Sequence, residues 1–61
     1  MNSTLRRNEI IRILSQKKSV SVEELASFFK VSNVTIRTDL DDLAKKGLLM
    51  RTPGGAIYSE V

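Results

Sequence analysis

Apolar residues in the middle of the chain recur at the spacing of an α-helix. They occupy positions i, i+4 and i+7, at Ile36, Leu40 and Leu43. A helix with this pattern buries one face against a core. Ser32 can cap its start and Gly47 can end it, because glycine adopts the left-handed conformation without a steric penalty. The pattern predicts an amphipathic helix at about residues 33–46.

Two predicted helices precede it. The first has an inward stripe of apolar residues at Ile10, Ile11 and Leu14. Ser3 or Thr4 can cap this helix, and it fades at residues 16–18. The second begins with a capping box, in which the Ser21 hydroxyl accepts from the Glu24 amide and the Glu24 carboxylate accepts from the Ser21 amide. Its inward face carries Val22, Leu25, Ala26 and Phe29.

A very short connection separates the second and third helices. Only Lys30 and Val31 remain to turn the chain, so the two helices must cross steeply. This arrangement predicts a helix-turn-helix at about residues 20–39. A left-handed conformation at Lys30 would cost on the order of 1 kcal/mol.

The last part of the chain has the pattern of a hairpin. The segment before Pro53 is partly apolar and strand-like, Pro53 and Gly54 fit the central pair of a type II turn, and the segment after them can return as a second strand. We predict a hairpin wing at about residues 48–58. Ser19 and Val20 are expected to form a brief extended link between the first two helices, or one short strand.

Together these elements predict one domain over residues 3–58. Its fold class is mainly α with a small β-hairpin wing, a winged helix-turn-helix with a three-helix core.

The composition narrows the chemistry of the chain. Its 61 residues allow one small domain, and they include no cysteine and no histidine. Disulfides, thiolate and imidazole metal sites and the usual general base are therefore excluded. No apolar run approaches the roughly 18 residues of a membrane span. We expect a soluble, cytoplasmic protein that is not an enzyme, contacts no membrane and needs no cofactor or metal.

The net charge is +3, and its excess lies in the first 18 residues, which hold five basic residues and one acidic residue. A local excess of this kind fits a polyanion that is met along one face of the protein.

The third helix is predicted to expose hydroxyls, an amide, methyl groups and a guanidinium in its first two turns, which suits a helix that enters the major groove of DNA. Asn33 and Arg37 are candidates for base edges or phosphates, and Val34 for a thymine methyl. The full set of predicted DNA-contacting residues is Ser21, Ser32, Asn33, Val34, Thr35, Arg37, Thr38 and Arg51. Further candidates for contacts with the DNA backbone are Arg6, Arg7 and Gly54.

Several of these residues also have a purely structural interpretation. The two serines can be caps and nothing more, Arg37 can pair with Asp41 at i+4, and Arg6 and Arg7 can form a solvated face. Three carboxylates follow in the third helix, at Asp39, Asp41 and Asp42. Because phosphates would repel them, only residues 32–38 are expected to lie close to DNA.

An ordered set of residues runs through nearly the whole chain. It comprises Val31, Ser32, Thr35, Ile36, Arg37, Asp39, Leu40, Leu43, Gly47, Leu49, Arg51, Gly54, Gly55 and Ala56, and Val20, Glu24, Leu25, Ala26 and Phe29 fit the same frame. This set closely resembles the N-terminal winged helix-turn-helix of the DeoR family of bacterial transcription regulators. The family usually has a second basic residue after the Thr-Ile-Arg run, whereas this chain has Thr38 and loses one cation near the DNA backbone.

The resemblance implies a sequence-specific operator binder, usually a repressor of sugar uptake or catabolism. Family members carry a C-terminal domain that senses a phosphorylated sugar and holds a homo-oligomer together. These 61 residues do not contain that domain, so we expect the DNA-binding part of a longer regulator. The alternative function is a winged-helix protein–protein interaction module, but the polar start of the third helix lacks the aromatic anchors of protein hot spots.

Overall fold

Three helices and three short strands form the part of the chain that the computed structural model describes, residues 2–59. In chain order they are α1 (Ser3–Lys17), β1 (Ser19–Ser21), α2 (Val22–Phe29), α3 (Asn33–Lys45), β2 (Leu49–Thr52) and β3 (Gly55–Tyr58). This confirms the predicted fold class, three helices with a small antiparallel hairpin as a wing. Within these residues, no helix has the length and apolar character needed to cross a membrane.

The core forms where the apolar faces of the three helices meet the sheet. α3 buries the three residues of its predicted stripe, Ile36, Leu40 and Leu43. The rest of the buried apolar set is Ile10, Leu14, Val20, Val22, Leu25, Ala26, Leu49 and Ala56. Each large aliphatic side chain in this set contributes about 1.5–3 kcal/mol through its removal from water. The amphipathic pattern therefore fixes which face of each helix points inward.

The helix starts are satisfied by side-chain caps. Ser21 and Glu24 form the predicted capping box, with 3.0 Å from the Glu24 amide to the Ser21 hydroxyl and 2.8 Å from the Ser21 amide to the Glu24 carboxylate. The prediction for α1 was wrong by one residue: its cap is Asn2, whose side-chain oxygen accepts from the Leu5 amide at 2.9 Å. Asparagine caps a helix as well as serine does, so the sequence Asn2-Ser3-Thr4 does not show which of the three residues begins α1.

Left-handed residues end or follow each helix. Lys18 and Lys30 adopt this conformation with φ of 72° and 58°, so the predicted strain at Lys30 is present. After α3, Gly47 has φ of 77°, its amide donates to the Ala44 carbonyl at 3.0 Å, and the Leu48 amide donates to Leu43 at 3.0 Å. This pair of bonds is the Schellman arrangement, and it turns the chain directly into the wing.

The sheet joins the wing to the helix-turn-helix. Its strand order is β1-β3-β2, all antiparallel, so the short link at Ser19 and Val20 is a strand paired with β3. Val20 lies opposite Ala56, and Ser21 lies opposite Gly55. At the wing tip, Gly54 has φ of 91°, as a type II turn requires, and its carbonyl accepts from the Val22 amide at 2.8 Å. The wing is therefore bonded to the start of α2.

Gly55 lies in β3 opposite Ser21 and close to the backbone of Val20 in β1, and it should tolerate no side chain. A β-carbon placed there would lie 2.0 Å from the Val20 carbonyl oxygen. We expect Gly55→Ala to lower the free energy of unfolding by about 3 kcal/mol, because the strands must separate to accept it. Urea unfolding followed by circular dichroism measures this loss.

Gly47→Ala is the matched control for Gly55→Ala, since a β-carbon on Gly47 meets open space and only its left-handed φ is strained. Its cost should be about 1 kcal/mol. Equal losses for the two variants would contradict the close approach of β1 and β3.

Candidate nucleic-acid interface

The amino-terminal half of α3 presents a polar, exposed surface. Ser32, Asn33, Arg37 and Thr38 are exposed, and Thr35 is half-buried beside them. Of the two large apolar side chains in this stretch, Ile36 is buried and Val34 is 67% exposed. Its exposure follows from the helical period, because Val34 lies opposite the stripe that enters the core. The predicted base-reading side chains therefore share one accessible face.

The hydroxyls on this face are partly engaged in holding the helix start. The Thr35 amide donates to the Ser32 hydroxyl at 3.1 Å, and the Ser32 and Thr35 hydroxyls lie 3.0 Å apart. Thr38 donates its hydroxyl proton to the Val34 carbonyl at 3.0 Å. Ser32 thus caps α3, and each of the three hydroxyls retains at least one donor or acceptor position for a further hydrogen bond.

Arg37 differs from most basic residues of the domain because its guanidinium has no carboxylate partner among residues 2–59. The predicted alternative, a pair with Asp41, is wrong. Asp41 instead accepts from Arg51 at 2.7 Å. Arg37 is therefore an exposed cation in the second turn of α3, on the accessible face.

Arg51 links the wing to α3. Its Nε donates to the Gly55 carbonyl at 3.1 Å, and its Nη1 donates to the Arg37 carbonyl at 3.3 Å as well as to Asp41. The bond to Gly55 lies within the wing, and the two bonds to Arg37 and Asp41 hold the wing against α3. A contact between Arg51 and a DNA phosphate stays a prediction. The N–H groups of Arg51 that the three bonds leave unused are available to make it.

Ser21 and Gly54 lie together at the other side of the wing, because Ser21 pairs with Gly55 and the Val22 amide bonds the Gly54 carbonyl. The amides of Ser21, Val22 and Glu24 are all bonded within the chain. The start of α2 therefore offers a phosphate fewer free donors than the capping pattern implied. The amides of Asn33 and Val34 at the start of α3 have no bond within residues 2–59.

Arg6 and Arg7 do not form the solvated face that was one interpretation of them. Both donate to Asp39, Arg6 through Nε and Nη2 and Arg7 through Nε at 2.9 Å. Arg7 also donates to Asp42 at 2.9 Å. Their side chains are only 12% and 26% exposed, and that of Asp39 is 1% exposed. Only the guanidinium N–H groups that these bonds leave unused are available for a contact of Arg6 or Arg7 with DNA.

Asp39 was expected to be one of three carboxylates that keep the later part of α3 away from phosphates, but it is buried and is the anchor of α1 on α3. Burial opposes ionisation of its carboxyl, but hydrogen bonds from Arg6 and Arg7 outweigh this effect and hold the pKa of Asp39 below its usual value. The signal was present in the sequence. Asp39 lies three residues after Ile36 and four before Leu43, within the apolar stripe, where an exposed acid is not expected.

Comparison with known proteins agrees with this geometry. A family model described as the DeoR-like helix-turn-helix domain matches residues 6–61. The chain belongs to the DeoR-like helix-turn-helix family. This DeoR-like domain is 48% identical over 56 residues to the glycerol-3-phosphate regulon repressor of Escherichia coli, and the match covers 92% of the chain and 22% of the repressor.

Two further relatives of the DeoR-like domain carry related names. It is 46% identical over 56 residues to the putative galactitol utilization operon repressor of Escherichia coli, and this match covers 92% of the chain and 50% of that repressor. It is 50% identical over 51 residues to the L-fucose operon activator of Haemophilus influenzae, and this match covers 84% of the chain and 20% of that activator. The domain thus spans between a fifth and a half of these regulators. No solved structure matches it significantly.

The anchor at Asp39 should make the stability of the DeoR-like domain sensitive to acid. A carboxyl whose folded pKa is lowered stabilises the fold above its unfolded pKa of about 3.9, and this contribution is lost as the pH falls through the lower folded value. Asp39→Asn should cost about 2–4 kcal/mol at pH 7, since it leaves two arginines without their shared charge. The variant should also lose less stability than the unaltered domain below about pH 4.

Urea unfolding at neutral and acidic pH measures both effects of Asp39→Asn. Glu23→Gln serves as the control, because Glu23 is exposed and forms no ion pair among the described residues; it should cost less than about 1 kcal/mol. If the free energy of unfolding falls equally with pH in the Asp39→Asn variant and in the unaltered domain, the stabilising role of the Asp39 carboxylate is contradicted.

Proposed function

We propose that this domain binds double-stranded DNA in a sequence-specific manner, as the operator-binding part of a bacterial transcription regulator. The observation that carries the proposal is the exposed amino-terminal half of α3, with the unpaired Arg37 guanidinium at its centre and the wing bonded beside it. Membership of the DeoR-like family supports the same function. α3 would lie in the major groove with its amino end toward the bases.

The proposed contacts follow from the chemistry of each side chain. Asn33 and Arg37 would read base edges and Val34 a thymine methyl. The free amides at the start of α3 and the hydroxyls of Ser32 and Thr35 would donate to phosphate. The Thr38 hydroxyl would accept from a base edge, or would donate to phosphate after turning from the Val34 carbonyl. Residues that would meet the backbone from the wing side are Ser21, Arg51 and Gly54.

The biological role extends beyond the domain itself. The relatives are named for operons or regulons of glycerol-3-phosphate, galactitol and L-fucose, and most of them are named repressors. We infer that this domain serves a repressor of carbohydrate genes, a homo-oligomer whose sugar-phosphate effector binds outside residues 1–61. It would act in the cytoplasm, where bacterial operator DNA lies, and would bind rather than catalyse.

Selection of bound duplexes from a random pool, at low and at physiological salt, tests the function. A shared sequence motif among the recovered duplexes is expected, with affinity that falls as salt rises because phosphate contacts release counterions. Recovery without a motif would contradict sequence-specific binding. Absence of any duplex binding at low salt would favour the protein–protein interaction module instead.

Arg37→Ala should weaken binding to the selected duplex by about 1–3 kcal/mol if Arg37 reads a base, and the loss should be smaller on unrelated duplexes. If it contacts phosphate, the loss should be similar on all sequences. The salt slope, meaning the steepness with which the logarithm of the affinity falls with the logarithm of the salt concentration, should then fall by about one. Fluorescence anisotropy at several salt concentrations separates the two cases.

The control for Arg37→Ala is Lys45→Ala. Lys45 lies on the same exposed face but in the last turn of α3, away from the proposed contacts, and it forms no ion pair among residues 2–59. Equal losses for the two variants would mean that only overall charge matters, and no loss for Arg37→Ala would remove this residue from the interface.

A further inference from the structure

An ionic cluster joins the first turns of α1 to the middle of α3. It consists of Arg6 and Arg7 on α1 and of Asp39 and Asp42 on α3. Asp39 accepts three of the four hydrogen bonds in the cluster and is the only buried charged residue within residues 2–59. Asp39 lies in the same helix as the proposed base-reading residues, one turn after Thr35 and two residues after Arg37.

The cluster is the main attachment of the amino-terminal part of α1 to α3. The buried apolar residues of α1, Ile10 and Leu14, lie further along the helix, and Leu5 at its start is 56% exposed. A buried ion pair often contributes no more stability than apolar side chains of the same volume would. It does fix geometry, because the Arg6 fork donates two bonds to one carboxylate and so restrains its orientation.

The cluster and two further ion pairs offset much of the basic excess of the first 18 residues. Arg6 and Arg7 share the charges of Asp39 and Asp42, Arg12 donates to Glu9 at 2.6 Å and Lys17 donates to Glu24 at 2.8 Å. Guanidiniums that are held in this way are not free to approach phosphates. The positive charge that remains on α3 without a carboxylate partner in the described residues lies at Arg37 and Lys45.

We propose that Asp39 is a positioning residue for DNA recognition: its bonds to Arg6 and Arg7 fix the angle at which α3 presents its exposed half, and they withhold both arginines from phosphate. Specificity then depends on Asp39 in two ways, since it aligns the base-reading side chains and suppresses sequence-independent attraction. This inference rests on the proposed DNA-binding function and deepens it by assigning a determinant of specificity that lies outside the contact surface.

The test compares two duplexes, one recovered from the random pool and one of the same composition with scrambled sequence. Dissociation constants are measured over a range of salt for the unaltered domain, Asp39→Asn and Arg6→Gln, with the folded fraction of each obtained from circular dichroism. Arg12→Gln is the matched control, because Arg12 is also an α1 guanidinium bonded to a carboxylate, but the pair lies within α1 and does not reach α3.

In Asp39→Asn, affinity for the selected duplex should fall about tenfold, the effect of roughly one lost base contact. Affinity for the scrambled duplex should be kept or rise, and the salt slope should steepen by up to about two as the released arginines turn to phosphate. Arg6→Gln should lower the ratio of the affinity for the selected duplex to the affinity for the scrambled duplex, without lowering the salt slope. Arg12→Gln should change neither the ratio nor the slope.

Two results would overturn the proposal. If Arg6→Gln weakens both duplexes equally and lowers the salt slope by about one, Arg6 is a phosphate contact. If Asp39→Asn, corrected for its folded fraction, keeps the ratio and slope of the unaltered domain, Asp39 only stabilises the fold. Should Asp39→Asn fail to fold, Arg6→Gln decides between the proposal and the phosphate contact, since it removes one arm of the cluster and leaves the Asp39–Arg7 bond.

Failure of the proposed function gives a different result. In that case the unaltered domain itself does not distinguish the selected duplex from the scrambled one, and the positioning role falls with it. A clear preference in the unaltered domain that survives in both variants rejects the positioning role alone.

Discussion

The burial of one face of α3 determines what the rest of its surface can do. Ile36 and Leu40 are fully enclosed, and Leu43 nearly so, which sets the rotation of the helix about its axis. Once that rotation is set, the helical period leaves Val34 and Thr38 outside, with Arg37 on the same side. The exposure of the proposed contact surface is thus a direct consequence of core packing, whereas the bonds of Asp39 to α1 are what we propose to fix the angle at which α3 presents it.

Polar groups on the two sides of α3 connect it to different neighbours. Asp39 faces α1 and binds its arginines, while Asp41, two residues later, is exposed and binds Arg51 of the wing. Acidic residues two positions apart in one helix therefore have distinct roles, because their directions differ by just over half a turn. Both sides of α3 thus carry ion pairs, and within its first two turns Arg37 is a cation that no described carboxylate neutralises.

The sequence predicted what depends on local pattern. Periodicity located the helices, and capping chemistry located the starts of α2 and α3, since both signals involve residues at most four positions apart. The burial of Asp39 was missed because its partner Arg6 lies 33 residues away, and the pairing of β1 with β3 was missed for the same reason. The exposed face of α3 followed from its period, whereas the partners of Arg51 and Arg6 required the folded structure.

The pairing of Val20 with Ala56 has a consequence for the biosynthesis of the domain. β1 is made early and finds its partner only when β3 leaves the ribosome, so a nascent chain that stops before Gly55 has helices but no sheet. Contacts of such long sequence separation impose a loop-closure entropy that local helix contacts do not. Cooperative folding should therefore await the synthesis of the wing, and an unfinished chain should expose the apolar faces that the sheet covers.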